Sequence, residues 1–354
     1  MKKTLIIGLS LMTFFGCEMA EQDFDNLDMI EQDDSNETHS EIAGRSIVFY
    51  NVENLFDTEN DPHTDDDDFT PHGDYQWDED RYETKLDRIS EAINLIEERP
   101  VIIGLSEIEN YKVLEDLIDE DGMDDINYGI VHYNSPDRRG IDCGFLYDKD
   151  AFEVIDKEKI PVTLSYNRNF KTRDIIHVFG EFTGGVEAHI FVNHWSSRRE
   201  GKEKTEHKRL EAAETLREKI DDILADNPDA NIIILGDFND HPDDDSLEEV
   251  LRAKESGFAD EGDLINLLYD NHANGEGTSV HQRDWACLDQ IIVSQSVYDN
   301  NSGLGIVKNE SEILREKELI YTYQDGGQKP SSTYGGRKYY GGYSDHLPVY
   351  IILK

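Results

Sequence analysis

The sequence is poor in cysteine, in proline and in positive charge. It has three cysteines and nine prolines in 354 residues. Three cysteines with no CxxC or Cys/His spacing exclude a zinc ribbon and a disulfide-dense scaffold. Nine prolines exclude a proline-rich linker protein. Only 34 Lys and Arg stand against 78 Asp and Glu, a formal net charge of -44. That balance repels polyanions at long range, so a general nucleic-acid-binding surface is excluded, although one locally basic site is not. No apolar run reaches the length of a membrane span; the one at 5–15 is too short. What is present is a 37% hydrophobic fraction gathered into short, separated runs, enough for a sizeable core.

The beginning of the chain reads as an export signal. Lys2 and Lys3 precede an apolar stretch over 5–15, and Gly16-Cys17 follows at once. This pattern resembles a bacterial lipoprotein signal, which predicts residues 1–16 as the signal and a lipidated Cys17 as the first mature residue. Residues 17–44 are acidic and polar without periodicity and are expected to be a flexible tether. The expected location is therefore exported and lipid-anchored, periplasmic or on the cell surface, with no other membrane contact. The remaining thiols, Cys143 and Cys287, lie in apolar strand-like contexts. Two exported cysteines can pair, but two separately buried thiols are the expected state.

From residue 45 to 354 the pattern is that of one domain. Strands are expected at 47–52, 101–105, 144–147, 152–155, 175–182, 188–193, 231–235, 288–293 and 348–353. Many are continuous apolar runs, as in strands covered on both faces. Leu86, Ile89, Ile93 and Ile96 have helical spacing, as do residues 207–225, stopped by Asn227-Pro228. The class is α/β, a layered sandwich. Residues 57–80 form an acidic insertion with Asp65 to Asp68 in a row. It lacks the spaced ligands and turning glycine of an EF-hand loop, so a solvated, partly ordered loop is expected and structural Ca²⁺ is a minor alternative.

Polar residues interrupt the apolar strands in a consistent way. Asn51, Glu53 and Asn54 end the first strand, Glu107 follows the second, and His194 and Asp237 with Asn239 follow two later ones. Asp289 and Asp345-His346 stand at the opposite, N-terminal ends of theirs. In a mixed sheet whose last strands run oppositely, all six groups meet at one edge, where ligands commonly bind. Glu107 and Asp345 are hard oxygen donors suited to Mg²⁺ or Mn²⁺. His346 paired with Asp289 favours a protonated imidazole. Such a set suits in-line displacement at phosphorus. Singly, each residue has a plainer explanation: Glu107 as a cap for a helix beginning near Tyr111, Gly236-Asp237 as a turn, His194 as a satisfied structural histidine, Asp289 as a surface residue.

Six ordered motifs carry a resemblance. Asn-Val-Glu-Asn (51–54), Ser-Glu-Ile-Glu-Asn (106–110), Asn-His-Trp-Ser-Ser-Arg (193–198), Gly-Asp-Phe-Asn-Asp (236–240), Leu-Asp-Gln-Ile (288–291) and Ser-Asp-His-Leu-Pro-Val (344–349) resemble the motifs of the endonuclease/exonuclease/phosphatase, or DNase I-like, family. The resemblance covers residues 46–354. It implies a four-layer sandwich of two mixed β-sheets flanked by helices, and a requirement for Mg²⁺ or Mn²⁺. It further implies Glu107 as principal metal ligand with Asn51 and Asp345 nearby, Asp237 as the residue that positions or deprotonates water, and Asn239 as a phosphate-orienting group. His346 held by Asp289 would stabilise the transition state, and His194 would contact the phosphate. Glu53 departs from the Asp of some nuclease branches. Arg139, Arg198 and Tyr343 are the expected phosphate or substrate contacts, since basic residues and a Tyr/Gly-rich stretch (334–343) flank the motifs. A monomeric extracytoplasmic nuclease or phosphodiesterase is the leading expectation. The alternatives are a small-molecule, inositol or sugar phosphatase, a lipid phosphodiesterase, or an inactive surface binder.

Overall fold

The computed structural model describes residues 42–307 and 311–354, which belong to one compact unit, Glu37–Lys354. The signal at 1–16, Cys17 and nearly all of the tether lie outside the described residues. Among the described residues, no helix is long and apolar enough to cross a membrane.

In chain order the elements are β1 Ser46–Leu55, α1 Glu79–Asn94, β2 Pro100–Ile108, α2 Tyr111–Ile118, β3 Tyr128–His132, β4 Asp142–Asp148, β5 Phe152–Ile160, β6 Ile175–Phe182, β7 Val186–His194, α3 Lys202–Asp226 and β8 Ile232–Asp237. Then come β9 Ala253–Lys254, β10 Leu264–Asn266, α4 Tyr269–Ala273, β11 Ser279–His281, β12 Asp284–Ala286, β13 Asp289–Ser294, α5 Gln295–Asp299, β14 Glu312–Ile313, β15 Ile320–Thr322, β16 Gln328–Pro330, β17 Tyr334–Gly335, β18 Lys338–Tyr339 and β19 Val349–Ile352. One sheet has the order β14-β19-β1-β2-β4-β3 and the other β5-β6-β7-β8-β13-β10-β9.

Burial on both faces explains the apolar runs. In β1, Ile47 and Phe49 enter the core shared with Val192 of β7, Leu235 of β8 and Ile291 of β13. Their neighbours Val48, Tyr50 and Val52 point the other way, against Leu86, Ile89 and Ile93 of α1 and Val113 of α2. The outer face of the second sheet, with Phe191, Ile232 and Ile234, packs on Leu216 and Ile220 of α3. Alternate residues of each central strand thus serve opposite layers, and the result is the expected four-layer sandwich of two mixed sheets between helices. Asp78 caps α1 by accepting from Arg81 N, and α3 begins at Lys202, five residues before the stretch its periodicity marks.

Strand direction bears out the expected reversal of the late strands. β1 is parallel to β2 and antiparallel to β19, while β7 is parallel to β8 and β13 antiparallel to it. The six motifs therefore divide between two facing sheets, three to each, and meet across the gap at one end of both. The acidic insertion is also more built than its composition suggests. Phe56 and Tyr75 stack on Phe69, Trp77 meets Phe69 edge-on, and Trp77 Nε1–H donates to Phe56 O (2.9 Å). Cys143 and Cys287 are both buried free thiols, as expected.

Candidate active site

The cleft at the common end of the two sheets is built on distorted backbone. The β1–β2 and β2–β4 ladders break register at Asn51/Leu55 and Ser106/Ile108. Glu53, Asn54, Glu107 and Asn239 all occupy the left-handed region, with φ of 53°, 59°, 65° and 52°. Bulges of this kind re-aim side chains, and such strain gathers at functional sites. Asn110, not Glu107, caps α2 by accepting from Val113 N (3.1 Å), so Glu107 is left for the cleft. Gly236 is required beside Asn193: a Cβ there would lie 2.7 Å from Asn193 Cβ and 2.9 Å from its carbonyl oxygen.

The second sheet supplies three groups side by side. His194, Asp237 and Asp289 are register partners across β7, β8 and β13. Asp289 is fully buried; its Oδ2 lies 2.6 Å from His346 Nδ1, while its Oδ1 is buried without a hydrogen-bond partner. Burial opposes charge on His346, but Asp289, Asp237 and Asp345 outweigh it and hold the imidazole well above its ordinary value. Asp237 Oδ2 accepts from Asn51 Nδ2 (2.9 Å) and Oδ1 from Asn239 N (3.0 Å). Its burial, with Asp289 beside it, pushes its carboxyl up to about 7. His194 is shifted the other way, well below its usual value, by burial and by Arg173, Arg139 and His346. Its Nε2 stands 3.6 Å from Asp237 Oδ2 and 4.0 Å from Glu107 Oε1, and its buried Nδ1 has no partner. It is not a satisfied structural histidine. Two imidazoles pushed apart in proton affinity separate a charged role from a neutral one.

The first sheet supplies oxygen donors. The nearest cations to Glu107 are distant, Arg139 at 3.9 Å. Asp345 is exposed, and Glu53, Asp345 and Glu107 all act electrostatically on the buried Lys85. This all-oxygen set with few counter-charges fits a hard divalent cation. Among the described residues, Asp237, Asp289 and His346 bring ligand-type atoms within 4.8 Å of one another. That trio is a poorer fit, because a ligating imidazole must be neutral and His346 is held charged by the pair it forms with Asp289. Glu53 is otherwise engaged: its two oxygens accept from Thr333 N (2.6 Å) and Tyr334 N (3.2 Å).

Asn51, Glu107, His194, Asp237, Asn239, Asp289 and His346 thus converge, with Asp345 at the rim and Arg139 reaching Glu107. Arg198 and Tyr343 do not join them as substrate contacts. The Arg198 guanidinium is committed to Asp240 Oδ1 (2.9 Å), Asp244 Oδ2 (2.6 Å) and the Asn239 carbonyl, so it braces the loop carrying Asn239. Tyr343 turns toward α1, where its hydroxyl donates to Glu91 Oε2 (3.0 Å) and Arg88 covers its ring. Two residues without a motif also shape the cleft. Arg173 is buried and donates to the carbonyls of His194 (3.1 Å) and Trp195 while pairing with Asp137 (3.0 Å). Lys85 is buried and donates to Thr333 Oγ1 (2.7 Å) and Tyr343 O (2.6 Å). Its signal in the sequence is a lysine inside the apolar stripe of Tyr82, Leu86 and Ile89.

Fold and cleft define the class: a two-sheet α/β sandwich with a carboxylate–imidazole centre where both sheets end. The chain belongs to the endonuclease/exonuclease/phosphatase family, whose model matches residues 46–354. Members of that family are metal-dependent phosphoester hydrolases. Curated proteins give no match to the sequence. Among solved structures, the human Nocturnin catalytic domain with bound sulfate is similar at 17% identity and TM-score 0.52, over 88% of this chain and 94% of that one. A Bacteroides thetaiotaomicron endonuclease/exonuclease/phosphatase family protein is similar at 16% identity and TM-score 0.52, over 87% and 97%. D. rerio TDP2 complexed with single strand DNA product is similar at 14% identity and TM-score 0.51, over 88% and 98%. At these identities the likeness is one of fold.

Proposed function

We propose that this chain is a Mg²⁺- or Mn²⁺-dependent phosphodiesterase of nuclease type, cleaving by attack of water at phosphorus. The observation that carries the reading is the buried Asp289–His346 pair, 2.6 Å apart, set beside a carboxyl raised to about 7. Asp237 accepts the proton of the attacking water; a carboxyl whose affinity lies near neutral pH is a better base than an ordinary one. His346 donates from Nε2 to the phosphate oxygens on which charge develops, and Asp289 keeps it protonated. Asn239 uses one amide hydrogen on Trp195 O (3.1 Å) and has the other for the phosphate. His194, kept neutral, gives a directed hydrogen bond without adding charge. Glu107, Asn51 and Asp345 would hold the divalent cation, which when bound polarises the phosphoryl group and offsets its charge.

The distribution of cations favours recognition of one phosphodiester at a time over a grip on a long duplex. Arg138, Arg173, Arg198, Lys202 and Arg337 are paired with Asp65, Asp137, Asp240 with Asp244, Asp244 and Asp74. Arg139 is left at the cleft with only the long contacts to Glu107 and Asp137. Assays with Mg²⁺, Mn²⁺ or EDTA on bis-p-nitrophenyl phosphate, short single strands, long duplex DNA and sugar or inositol monophosphates test this. Cleavage of diesters and short strands ahead of duplex is expected. Hydrolysis of monoesters alone would refute the phosphodiesterase reading. We propose as well that the chain is exported and anchored through Cys17, supported by Lys2-Lys3, the apolar run and Gly16-Cys17. Loss of lipid labelling in Cys17→Ser is expected; unchanged labelling would refute it.

A further inference from the structure

His194, Asn239 and Arg139 stand on three different segments, and one guanidinium outside the six motifs ties all three together. Arg173 precedes β6, whose antiparallel pairing with β7 sets Ile176 opposite Val192 and so brings the residues before Ile175 beside His194. It is buried, at 8% exposure. Its Nε donates to His194 O (3.1 Å) and its Nη2 to Trp195 O. Its Nη1 donates to Asp137 Oδ2 (3.0 Å). Two of these acceptors carry the contact onward. Trp195 O also accepts from Asn239 Nδ2 (3.1 Å), and Asp137 Oδ1 accepts from Arg139 N (2.9 Å).

A structural role alone asks only that buried carbonyls near the end of β7 find donors, which a water can supply. The arrangement around Arg173 goes further. A guanidinium is planar and its N–H groups are fixed relative to one another, so one side chain sets three acceptors in a single frame. Holding the Trp195 carbonyl holds the Nδ2 end of the Asn239 amide, and with it the direction of the second N–H. Asp137, with 9% of its side chain exposed, passes the same constraint to the backbone of Arg139, whose guanidinium reaches toward Glu107 (3.9 Å). The charge acts as well: after burial, Arg173 is the largest influence keeping His194 below its ordinary value.

We propose that Arg173 is a positioning residue for hydrolysis at phosphorus, holding His194, the Asn239 amide and the Arg139 loop in fixed relation to one another. It acts through these groups and not on the substrate. The inference rests on the hydrolytic reading of the cleft and deepens it, because it joins the groups that orient the phosphate to the loop that captures it. Lysine at this place keeps the charge but offers a single donor centre, so it cannot hold three acceptors in one plane.

The test uses the full chain with Mg²⁺ or Mn²⁺, and Tm is measured for every variant so that rates are compared well below unfolding. The wild type is scored on bis-p-nitrophenyl phosphate and p-nitrophenyl phosphate, and the variants are compared on the ester it hydrolyses. Arg173→Lys is expected to lose roughly ten- to a hundredfold in kcat, as small misplacements of catalytic groups do, and to raise KM. Asp137→Asn, which loosens only the Arg139 loop, is expected to act mainly on KM. Adding Arg139→Ala to Arg173→Lys should raise KM by less than Arg139→Ala does alone, because that contact is already loosened. If Arg173→Lys fails to fold, Asp137→Asn alone and combined with Arg139→Ala carry the same comparison. An active wild type whose Arg173→Lys variant keeps kcat and KM and loses only Tm would overturn the positioning role, as would an Asp137→Asn enzyme with unchanged KM. A wild type that hydrolyses neither ester with metal would instead sink the hydrolytic reading, and the inference with it.

Discussion

Replacing Asp289 by Asn removes one charge and leaves the shape of the site intact, so its effect isolates the pair with His346. The carboxylate is fully buried and its 2.6 Å contact is charge-assisted. Hydrogen bonds to charged groups are worth about 1.5–3 kcal/mol, and breaking a buried ion pair costs about 3–5 kcal/mol. At about 1.4 kcal/mol per decade, the upper range corresponds to roughly two to four orders of magnitude in kcat. KM should change far less, because the lost interaction matters most as charge develops on phosphorus. The pH profile carries a second signature. His346 is raised well above its ordinary value in the folded protein. Its charge therefore contributes stability that is complete below the unfolded value of about 6.5 and lost as pH rises through the folded one. In Asp289→Asn the largest raising influence is lost, so the imidazole moves down toward the side that burial favours. The alkaline limb of kcat should move to lower pH, and the Tm deficit should be larger at pH 5 than at pH 9. Steady-state hydrolysis of bis-p-nitrophenyl phosphate from pH 5 to 10, with matched melts, reads both. An Asp289→Asn enzyme with wild-type kcat and an unmoved alkaline limb would refute the reasoning.

Lys85→Met removes a donor to Tyr343 O and leaves Glu53 beside Asp345 without its buried cation; a loss of about 3 kcal/mol or more in stability, measured by urea unfolding, is expected. Arg139→Ala should raise KM for a diester, because its guanidinium reaches the cleft, whereas Arg198→Ala should lower Tm and kcat together by releasing the Asn239 loop; the two are separated by comparing KM with Tm. His189 is lowered to about 4 by burial, with His177 and Lys219 adding to it. The depressed value means that its contribution to stability is full above about pH 6.5 and lost as pH falls through about 4, so His189→Gln should flatten the acid limb of Tm against pH.

Much of this arrangement is readable from the chain because strand ends are readable. Runs such as 231–235 must be buried on two faces, and the first polar residues after them, Asp237 and Asn239, fall at the cleft. Antiparallel partners reverse the rule, which is why Asp289 and His346 precede their strands. The division into two sheets is not legible in the same way, because Ile47 and Val48 are equally apolar while facing different layers. Arg198 and Arg139 look alike beside their motifs. Only the fold reveals that Asp240 and Asp244 capture the first, since pairing depends on loops separated by some forty residues. Tyr343 illustrates the same limit: α1 supplies Glu91 and Arg88 to hold it away from the cleft. Lys85 stands in an apolar stripe, but its partners in the loop before Asp345 come from the far end of the chain. The insertion is the largely exposed loop that its composition suggests, but Phe69, Tyr75 and Trp77 pin it beside Phe56, which a count of its aspartates does not reveal.

The central claim is that one cleft joins a cation-holding group anchored by Glu107 to an imidazolium held by Asp289. The most direct measurement is metal-dependent hydrolysis of bis-p-nitrophenyl phosphate by wild type, Glu107→Gln and His346→Ala, with Mg²⁺ or Mn²⁺ titrated from EDTA. The account predicts no wild-type turnover in EDTA, a raised metal requirement and a loss of at least about a hundredfold in kcat for Glu107→Gln, and a comparable kcat loss without a changed metal requirement for His346→Ala. Full activity in both variants, or wild-type turnover that EDTA does not touch, would contradict it.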